Sequence, residues 1–251
     1  MLIAELGCNH FGSMAKAKEM IRVARESGAD VVKLQAFEEA GDVAWWGSMP
    51  PNFYQEVALT LHQHLELIDY GKSIGAEIAY SVFSEGELAL NIRNRTRVWK
   101  YSARQARFAP VSRRHIVVSV SETDPNPPPG LAHPAICQVM LATRYQDKDG
   151  REDLDFLRNA IWKHEALEMM LRRPVGWSDH LRKITMTLSA IAASSPPVVE
   201  KHFVLEEDRG RQWAGVTFRD TVHAAGPKDF ERLAAAMASN HRNLKLKEMI
   251  G

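Results

Sequence analysis

The sequence predicts an α/β protein folded as a (β/α)8 TIM barrel. Its 251 residues match the roughly 250 that such a barrel needs. Eight short apolar runs, bounded by glycine, proline or polar residues, alternate with about seven stretches of helical periodicity, with no internal repeat. Several runs end on polar clusters, the position where parallel barrels bind ligands. One barrel domain over residues 1–251 is expected. An open doubly wound sheet shares the alternation, but no G-x-G-x-x-G or G-x-x-x-x-G-K-S/T follows any strand, which argues against a dinucleotide or P-loop site.

Leu2 to Gly7 reads as the first strand, ending at Cys8-Asn9-His10, with Glu5 pointed into the interior or the site. Ser13 caps a helix whose Met14, Ala17, Ile21 and Ala24 recur at helical spacing until Gly28 stops it. Val31 to Phe37 is strand two, and Lys33 in its middle should face an anion or a carboxylate, because a buried unpaired ammonium is costly. Asp42 to Pro51, with Trp45 and Trp46, is a long loop, and one helix is expected from Phe53 to Gly75 on Val57, Leu61, Leu65 and Ile68. Ala76 to Phe83 is strand three, Glu85 to Arg95 a short helix, and Arg97 to Ser102 strand four, again with an interior lysine, Lys100. The β-branched run His115 to Ser121 is strand five. Proline lacks the amide hydrogen a helix needs, so Asp124-Pro125-Asn126-Pro127-Pro128-Pro129-Gly130 cannot be helical and the helix after strand five should be missing. Ile136 to Thr143 is strand six, followed by a helix over Asp153 to Leu171. Strands seven and eight are Val175-Gly176-Trp177 and Pro197-Val198-Val199, joined by a helix on Ile184, Leu188 and Ile191. A last helix starts near Pro227, a favoured first-turn residue, with Phe230, Leu233 and Met237 inward; the basic stretch from Asn240 to Lys247 reads as a solvated helix end.

Composition narrows the function. Hydrophobic residues make up 45% and charged residues 25%, and no apolar run approaches the ~20 residues of a membrane span. A net charge of +1 gives no basis for nucleic acid or an anionic membrane as partner. Two isolated cysteines, Cys8 and Cys137, argue against a disulfide framework or structural zinc, and the start Met1-Leu2-Ile3 lacks a signal peptide's basic region. A cytoplasmic protein is expected.

Strand seven runs into Ser178-Asp179-His180 and strand eight into Glu200-Lys201-His202-Phe203, bringing two histidines to neighbouring strand mouths. Such a pair can hold one divalent metal, with water and a carboxylate completing the shell. Either histidine alone is more often a structural, hydrogen-bonded one. Lys33 and Lys100 are candidate anion binders or, alternatively, ion-pair partners of Glu5 or Glu200; Glu200 alternatively neutralises Lys201. His10, His62 and His64 are expected at the surface or in caps, and Trp45, Trp46 and Trp213 in loop packing.

Ala4-Glu5-Leu6-Gly7-Cys8-Asn9-His10, Gly28-Ala29-Asp30-Val31-Val32-Lys33-Leu34-Gln35, Val175-Gly176-Trp177-Ser178-Asp179-His180 and Glu200-Lys201-His202-Phe203 are similar to four successive motifs of the N-acetylneuraminate (sialic acid) synthase family. Order and approximate spacing match along nearly the whole chain. The resemblance implies a metal-dependent transferase of carbohydrate biosynthesis that condenses phosphoenolpyruvate with an N-acetylated aldose such as N-acetylmannosamine and releases phosphate. It implies that His180 and His202 bind Mn2+ or Mg2+, and that Lys33, Ser81, Lys100 and Ser119 hold phosphoenolpyruvate with Ser178 close by. Glu5 and Gln35 would face the reacting centre and the sugar.

Departures from the family pattern are also visible. A Gly-Pro-Asp-His stretch that touches the sugar in the family reads here as Gly210-Arg211-Gln212-Trp213, so its acid and imidazole are expected to be absent, with Gln212 in their place. The serine and glutamate after the strand-four lysine read as Ala103 and Gln105, and a neutral amide cannot take a proton. The strand-six loop reads Ala142-Thr143-Arg144-Tyr145-Gln146, which puts Tyr145 among the substrate contacts. The antifreeze-like domain that caps the neighbouring subunit's site in full-length members is not expected within these residues, so a homodimer would use another surface, or a separate lid protein would close the site. Two other functions stay open: a divergent metal-dependent aldolase or lyase on another phosphorylated substrate, and a catalytically inactive binding barrel.

Overall fold

The computed structural model describes residues 1–46, 49–84, 86–105, 115–124, 130–131, 133, 136–143 and 154–250. Eight strands, β1 (Leu2–Gly7), β2 (Val31–Ala36), β3 (Glu77–Val82), β4 (Val98–Tyr101), β5 (His115–Ser121), β6 (Ile136–Ala142), β7 (Gly176–Asp179) and β8 (Val199–His202), follow one another round a closed barrel. All pairings are parallel, and β1 closes the ring by pairing with both β2 and β8. The predicted (β/α)8 barrel is the fold observed.

A strand's period of two sorts its side chains into two environments. Leu2, Ala4 and Leu6 of β1, Val32 and Leu34 of β2, and Trp177 of β7 join the large core between strands and helices. Ile3, Val31, Ala79, Val117, Met140 and Val198 form a separate apolar cluster inside the ring. Two residues further along β1, β2, β3, β5 and the β8 segment, the same face carries Glu5, Lys33, Ser81, Ser119 and Glu200. The barrel interior therefore changes from a dry plug to a charged mouth within one step of the pleat. Gly176 permits this at β7: a Cβ there would lie 2.8 Å from the Val198 carbonyl oxygen, closer than carbon and oxygen can approach.

The outer helices are α1 (Met14–Glu26), α2 (Pro51–Val57), α3 (Leu61–Ser73), α4 (Glu87–Arg95), α5 (Leu154–Leu171), α6 (Ile184–Ser194), α7 (Arg219–His223) and α8 (Pro227–Ile250). Ser13 caps α1 as predicted, its side chain accepting from Lys16 N at 3.3 Å. The single helix expected from Phe53 to Gly75 is instead two. Thr60 and Gln63 form a reciprocal capping box that starts α3 afresh, and this local pairing outweighs the continuous apolar spacing. A short 3-10 helix, Ala40–Trp46, occupies part of the expected loop. None of the described residues between β5 and β6 is helical, in keeping with the proline run, of which 125 and 127–129 lie outside the described residues. The described residues after β4, 102–105, form only a turn. No described helix is long and apolar enough to cross a membrane.

Two histidines expected at the surface or in caps are buried. His64 lies on the inward face of α3 with Leu67 and Ile68, 1% exposed, with Nδ1 3.2 Å from the Tyr80 hydroxyl. His10 is 2% exposed in the turn after β1, where its Nδ1 accepts from Gly12 N at 3.1 Å; His62 is exposed as expected. Burial lowers His10 to about 4, and burial with a smaller contribution from His10 lowers His64 to about 3, both from 6.5. Between those values and 6.5 the unfolded chain takes up protons that the folded one refuses, so stability is present above pH 6.5 and is lost as pH falls. Urea midpoints should fall below pH 6.5, each histidine contributing at most about 1.4 kcal/mol per pH unit. The slope should be shallower in His64→Gln, and parallel profiles for the two proteins would contradict this assignment.

Candidate active site

At the carboxyl ends of the strands the barrel opens into a cavity of about 310 Å3. Its floor is a chain of buried charges. Lys33, 2% exposed, contacts Glu5 and donates to Ser81 Oγ at 3.1 Å. Lys100, 7% exposed, contacts Glu200 Oε1 and donates to Ser178 Oγ at 2.9 Å, and Ser178 Oγ in turn donates to Glu200 at 3.0 Å. The second Glu200 oxygen lies 3.9 Å from Lys33 Nζ, so this carboxylate ties both lysines together. Register explains the convergence: Glu5 sits opposite Lys33 on one side and His202 on the other, and Ser178 opposite Glu200.

Burial, opposed by Glu200, pulls the Lys33 ammonium down to about 7. Burial alone would raise Glu200, but Lys100 and Lys33 hold its carboxyl down at about 2. Lys201 belongs elsewhere: it points out of the barrel and donates to Asp179 at 2.7 Å and to the Leu181 carbonyl at 2.6 Å. Glu200 therefore pairs with the barrel lysines and not with its chain neighbour.

A bulge positions Glu5. The β1–β2 register slips between Glu5 and Gly7, where φ is +51° and Gly7 N donates to Glu5 Oε1 at 2.8 Å. A Cβ at Gly7 would meet Gln35 Oε1, Asp220 Oδ2 and the His202 ring at ordinary contact distances of 3.5 to 3.6 Å, so it is the left-handed backbone that favours glycine there.

His180 and His202 come together at the same mouth with ring centroids 5.6 Å apart, and both line the cavity. Burial, reinforced by His202, lowers His180 to about 3; burial, opposed by Glu200, lowers His202 to about 3. Both are neutral imidazoles at pH 7. His180 Nδ1 lies 2.6 Å from the Thr143 carbonyl, which can only accept, so the proton sits on Nδ1 and Nε2 is the ring's acceptor. A carbonyl fixing the tautomer in this way is the arrangement found behind metal-bound histidines. The donor set suits a divalent metal as far as two imidazoles go; among the described residues no cluster of three or more His, Cys, Asp or Glu is placed to complete it.

Of the other predicted residues, Gln35, Ser81, Ser119 and Ser178 line the cavity. Ser119 Oγ is buried without a hydrogen-bond partner among the described residues. Gln105 does not line it: its amide oxygen accepts from Ser102 and its nitrogen donates to the Val82 carbonyl at 3.1 Å, so it braces the turn after β4. Gln212 is exposed on a two-stranded hairpin, Gln212–Trp213 with Val216–Thr217, away from the lining. Trp213 packs on Phe53 and donates to Glu56 at 3.0 Å, which is the loop packing expected. Tyr145 lies outside the described residues.

A carboxylate not singled out from sequence, Asp220, also lines the cavity, its Oδ2 3.9 Å from His202 Nδ1. A two-stranded hairpin turning at Ala214 and Gly215, both with positive φ, precedes it in the chain. Arg104 and Arg219 also line the mouth and were not singled out from sequence.

Fold and site together define a (β/α)8 barrel whose mouth places lysine–carboxylate pairs and serine hydroxyls beside a histidine pair. Residues 161–248 match the NeuB family, which bears out the family resemblance carried by the motifs. The chain is 24% identical over 238 residues to N,N'-diacetyllegionaminic acid synthase of Campylobacter jejuni subsp. jejuni serotype O:2, covering 83% of this chain and 68% of that protein. The synthase of the same name from Legionella pneumophila is 23% identical over 240 residues, with 82% and 64% covered. Among solved structures, the N-acetylneuraminic acid synthetase of Leptospira borgpetersenii serovar Hardjo-bovis superposes with a TM-score of 0.76 at 18% identity, over 97% of this chain and 84% of that one. A truncated 3-deoxy-D-arabino-heptulosonate 7-phosphate synthase from Thermotoga maritima gives 0.63 at 12%, over 97% and 87%. At these identities the structural likeness is one of fold.

The buried pairs have a measurable consequence. Lys100→Met would leave Glu200 with only the more distant Lys33 and should destabilise the barrel, by up to about 3 to 5 kcal/mol in urea unfolding, the usual effect of removing one partner of a buried pair. The double variant Lys100→Met with Glu200→Leu should recover most of it. A single variant as stable as the parent would contradict the pairing.

Proposed function

We propose that this chain is a sialic acid synthase-like transferase that condenses phosphoenolpyruvate with an N-acetylated aldose or related aldehyde, assisted by Mn2+ or Mg2+, and releases phosphate. The observation that carries the reading is the floor of the cavity. Two ammonium groups and the hydroxyls of Ser81, Ser119 and Ser178 converge there, and the Ser119 hydroxyl has no other described partner. Phosphoenolpyruvate carries about three negative charges, and charge-assisted donors in a water-poor cleft are what such a ligand needs. The relatives named as N,N'-diacetyllegionaminic acid synthases support a synthase reaction of this kind.

In the reaction, C3 of the enol attacks the aldehyde carbon of the acceptor and forms the new carbon–carbon bond. Water adds to C2, and the C2–O bond to phosphate breaks as phosphate leaves. Lys33 and Lys100 hold the carboxylate and phosphate and keep the charge of the departing phosphate neutralised. Glu5, in contact with Lys33, is placed to orient the water and take its proton, and Lys33, drawn down to about 7, can return a proton to the leaving phosphate. Gln35 faces the acceptor, and Asp220 beside His202 accepts hydroxyl hydrogen bonds from it. His180 and His202 would hold the metal, which when bound supplies Lewis-acid polarisation of the aldehyde.

Phosphate release from phosphoenolpyruvate across a panel of aldoses, with and without manganese, tests this. Acceptor-dependent release is expected, abolished by chelation and reduced about 100-fold or more by His180→Ala or Ser119→Ala. Intact phosphoenolpyruvate with every acceptor, or turnover undiminished in His180→Ala, would overturn it.

A further inference from the structure

We propose that Thr143 is a positioning residue for His180: its hydroxyl takes over a backbone hydrogen bond and so releases the Thr143 carbonyl to hold the imidazole. The inference deepens the proposed function and rests on His180 being a ligand of the divalent metal.

The β6–β7 ladder shows what that carbonyl would otherwise do. Met140, Leu141 and Ala142 stand opposite Gly176, Trp177 and Ser178, and one residue past the strand Thr143 N donates to the Ser178 carbonyl at 3.1 Å. Hydrogen bonds in a parallel pair are evenly spaced, and the next rung would run from His180 N to the Thr143 carbonyl. The structure departs from that pattern here. His180 N donates instead to Thr143 Oγ1 at 2.8 Å, and the carbonyl lies 2.6 Å from His180 Nδ1. The hydroxyl thus stands in for the main chain, and the main chain serves the ring.

Few side chains can make this exchange. It needs a neutral acceptor directly on Cβ, close enough to its own carbonyl to reach the same residue of the neighbouring strand, which serine and threonine supply. Threonine adds a branched Cβ that restricts χ1 and fixes the oxygen, and at 2% exposure Thr143 is shielded from competing water. The chain entering the turn is pinned on its other side as well. Asp179, next to His180, accepts from Lys201 and from Thr187 Oγ1, each at 2.7 Å. With backbone and Nδ1 both held, Nε2 stays the acceptor of a ring that lines the cavity. With a methyl in place of the hydroxyl, the His180 amide would claim the carbonyl, and the ring would lose the partner that keeps its proton on Nδ1.

Two measurements on the full chain test this. One is Mn2+ affinity, read from the paramagnetic resonance of free Mn2+; the other is the 15N spectrum of the histidine rings without metal, with His180 assigned by its loss in His180→Gln. Thr143→Val should weaken Mn2+ binding by about 10- to 100-fold and turn the single Nδ1–H tautomer of His180 into a mixture. Thr143→Ser should bind within about threefold of the parent and keep the tautomer. Should Thr143→Val not fold, as judged by circular dichroism, Thr143→Ala against Thr143→Ser gives the same contrast. A tautomer unchanged without the hydroxyl overturns the proposal, and so does an equal loss of affinity in the serine and valine variants. A parent that binds no Mn2+ while its His180 tautomer still depends on the hydroxyl would uphold the positioning role and defeat the metal reading.

Discussion

The site depends on two lysines held inside a barrel. An ammonium group removed from water is tolerated only when a carboxylate stands against it, and the energetic margin of a buried pair is narrow. Glu5 and Glu200 provide that partner, and Glu200 reaches both lysines. Strand order and register follow from the same requirement, since a slip of one residue would carry Lys33, Lys100 and both glutamates to the outer face among the helices. The apolar plug beneath them, Ile3 to Val198, closes the lower end and keeps the charges facing the mouth.

Much of this was legible in the sequence, for a physical reason. A lysine in a short apolar run has few places to go, so Lys33 and Lys100 advertised the interior, and motif endings at His180 and His202 advertised the mouth. The choice between anion binder and ion-pair partner was not legible, and the structure shows the ion pairs directly. Local chemistry defeated the periodicity argument at Thr60, where a capping box restarts a helix that apolar spacing alone would continue. Spacing also misled after strand eight, where Gln212 lies on a two-stranded hairpin off the cavity and Asp220, further along the chain, lines it. Gln105 was misread because an amide near a site can serve the turn that builds it. His64 was misread because its inward position on α3 shows only once the helix start is known.

The fold rests on features that differ from those that would set specificity. The Leptospira and Thermotoga enzymes share the barrel at 18% and 12% identity, which is the tolerance expected of a scaffold whose ligands bind on strand-end loops. Within this chain the deep layer is built from strand residues locked by their neighbours, while Arg104, Arg219 and Asp220 sit on the segments after β4 and β8.

The most direct measurement is a crystal structure of the chain grown with phosphoenolpyruvate and manganese. The account requires the ligand's phosphate and carboxylate to lie against Lys33 and Lys100, with Ser119 Oγ brought within about 3 Å of one of their oxygens and the metal on His180 and His202. A ligand bound elsewhere, or a metal away from the histidines with Ser119 still unpartnered, would contradict it.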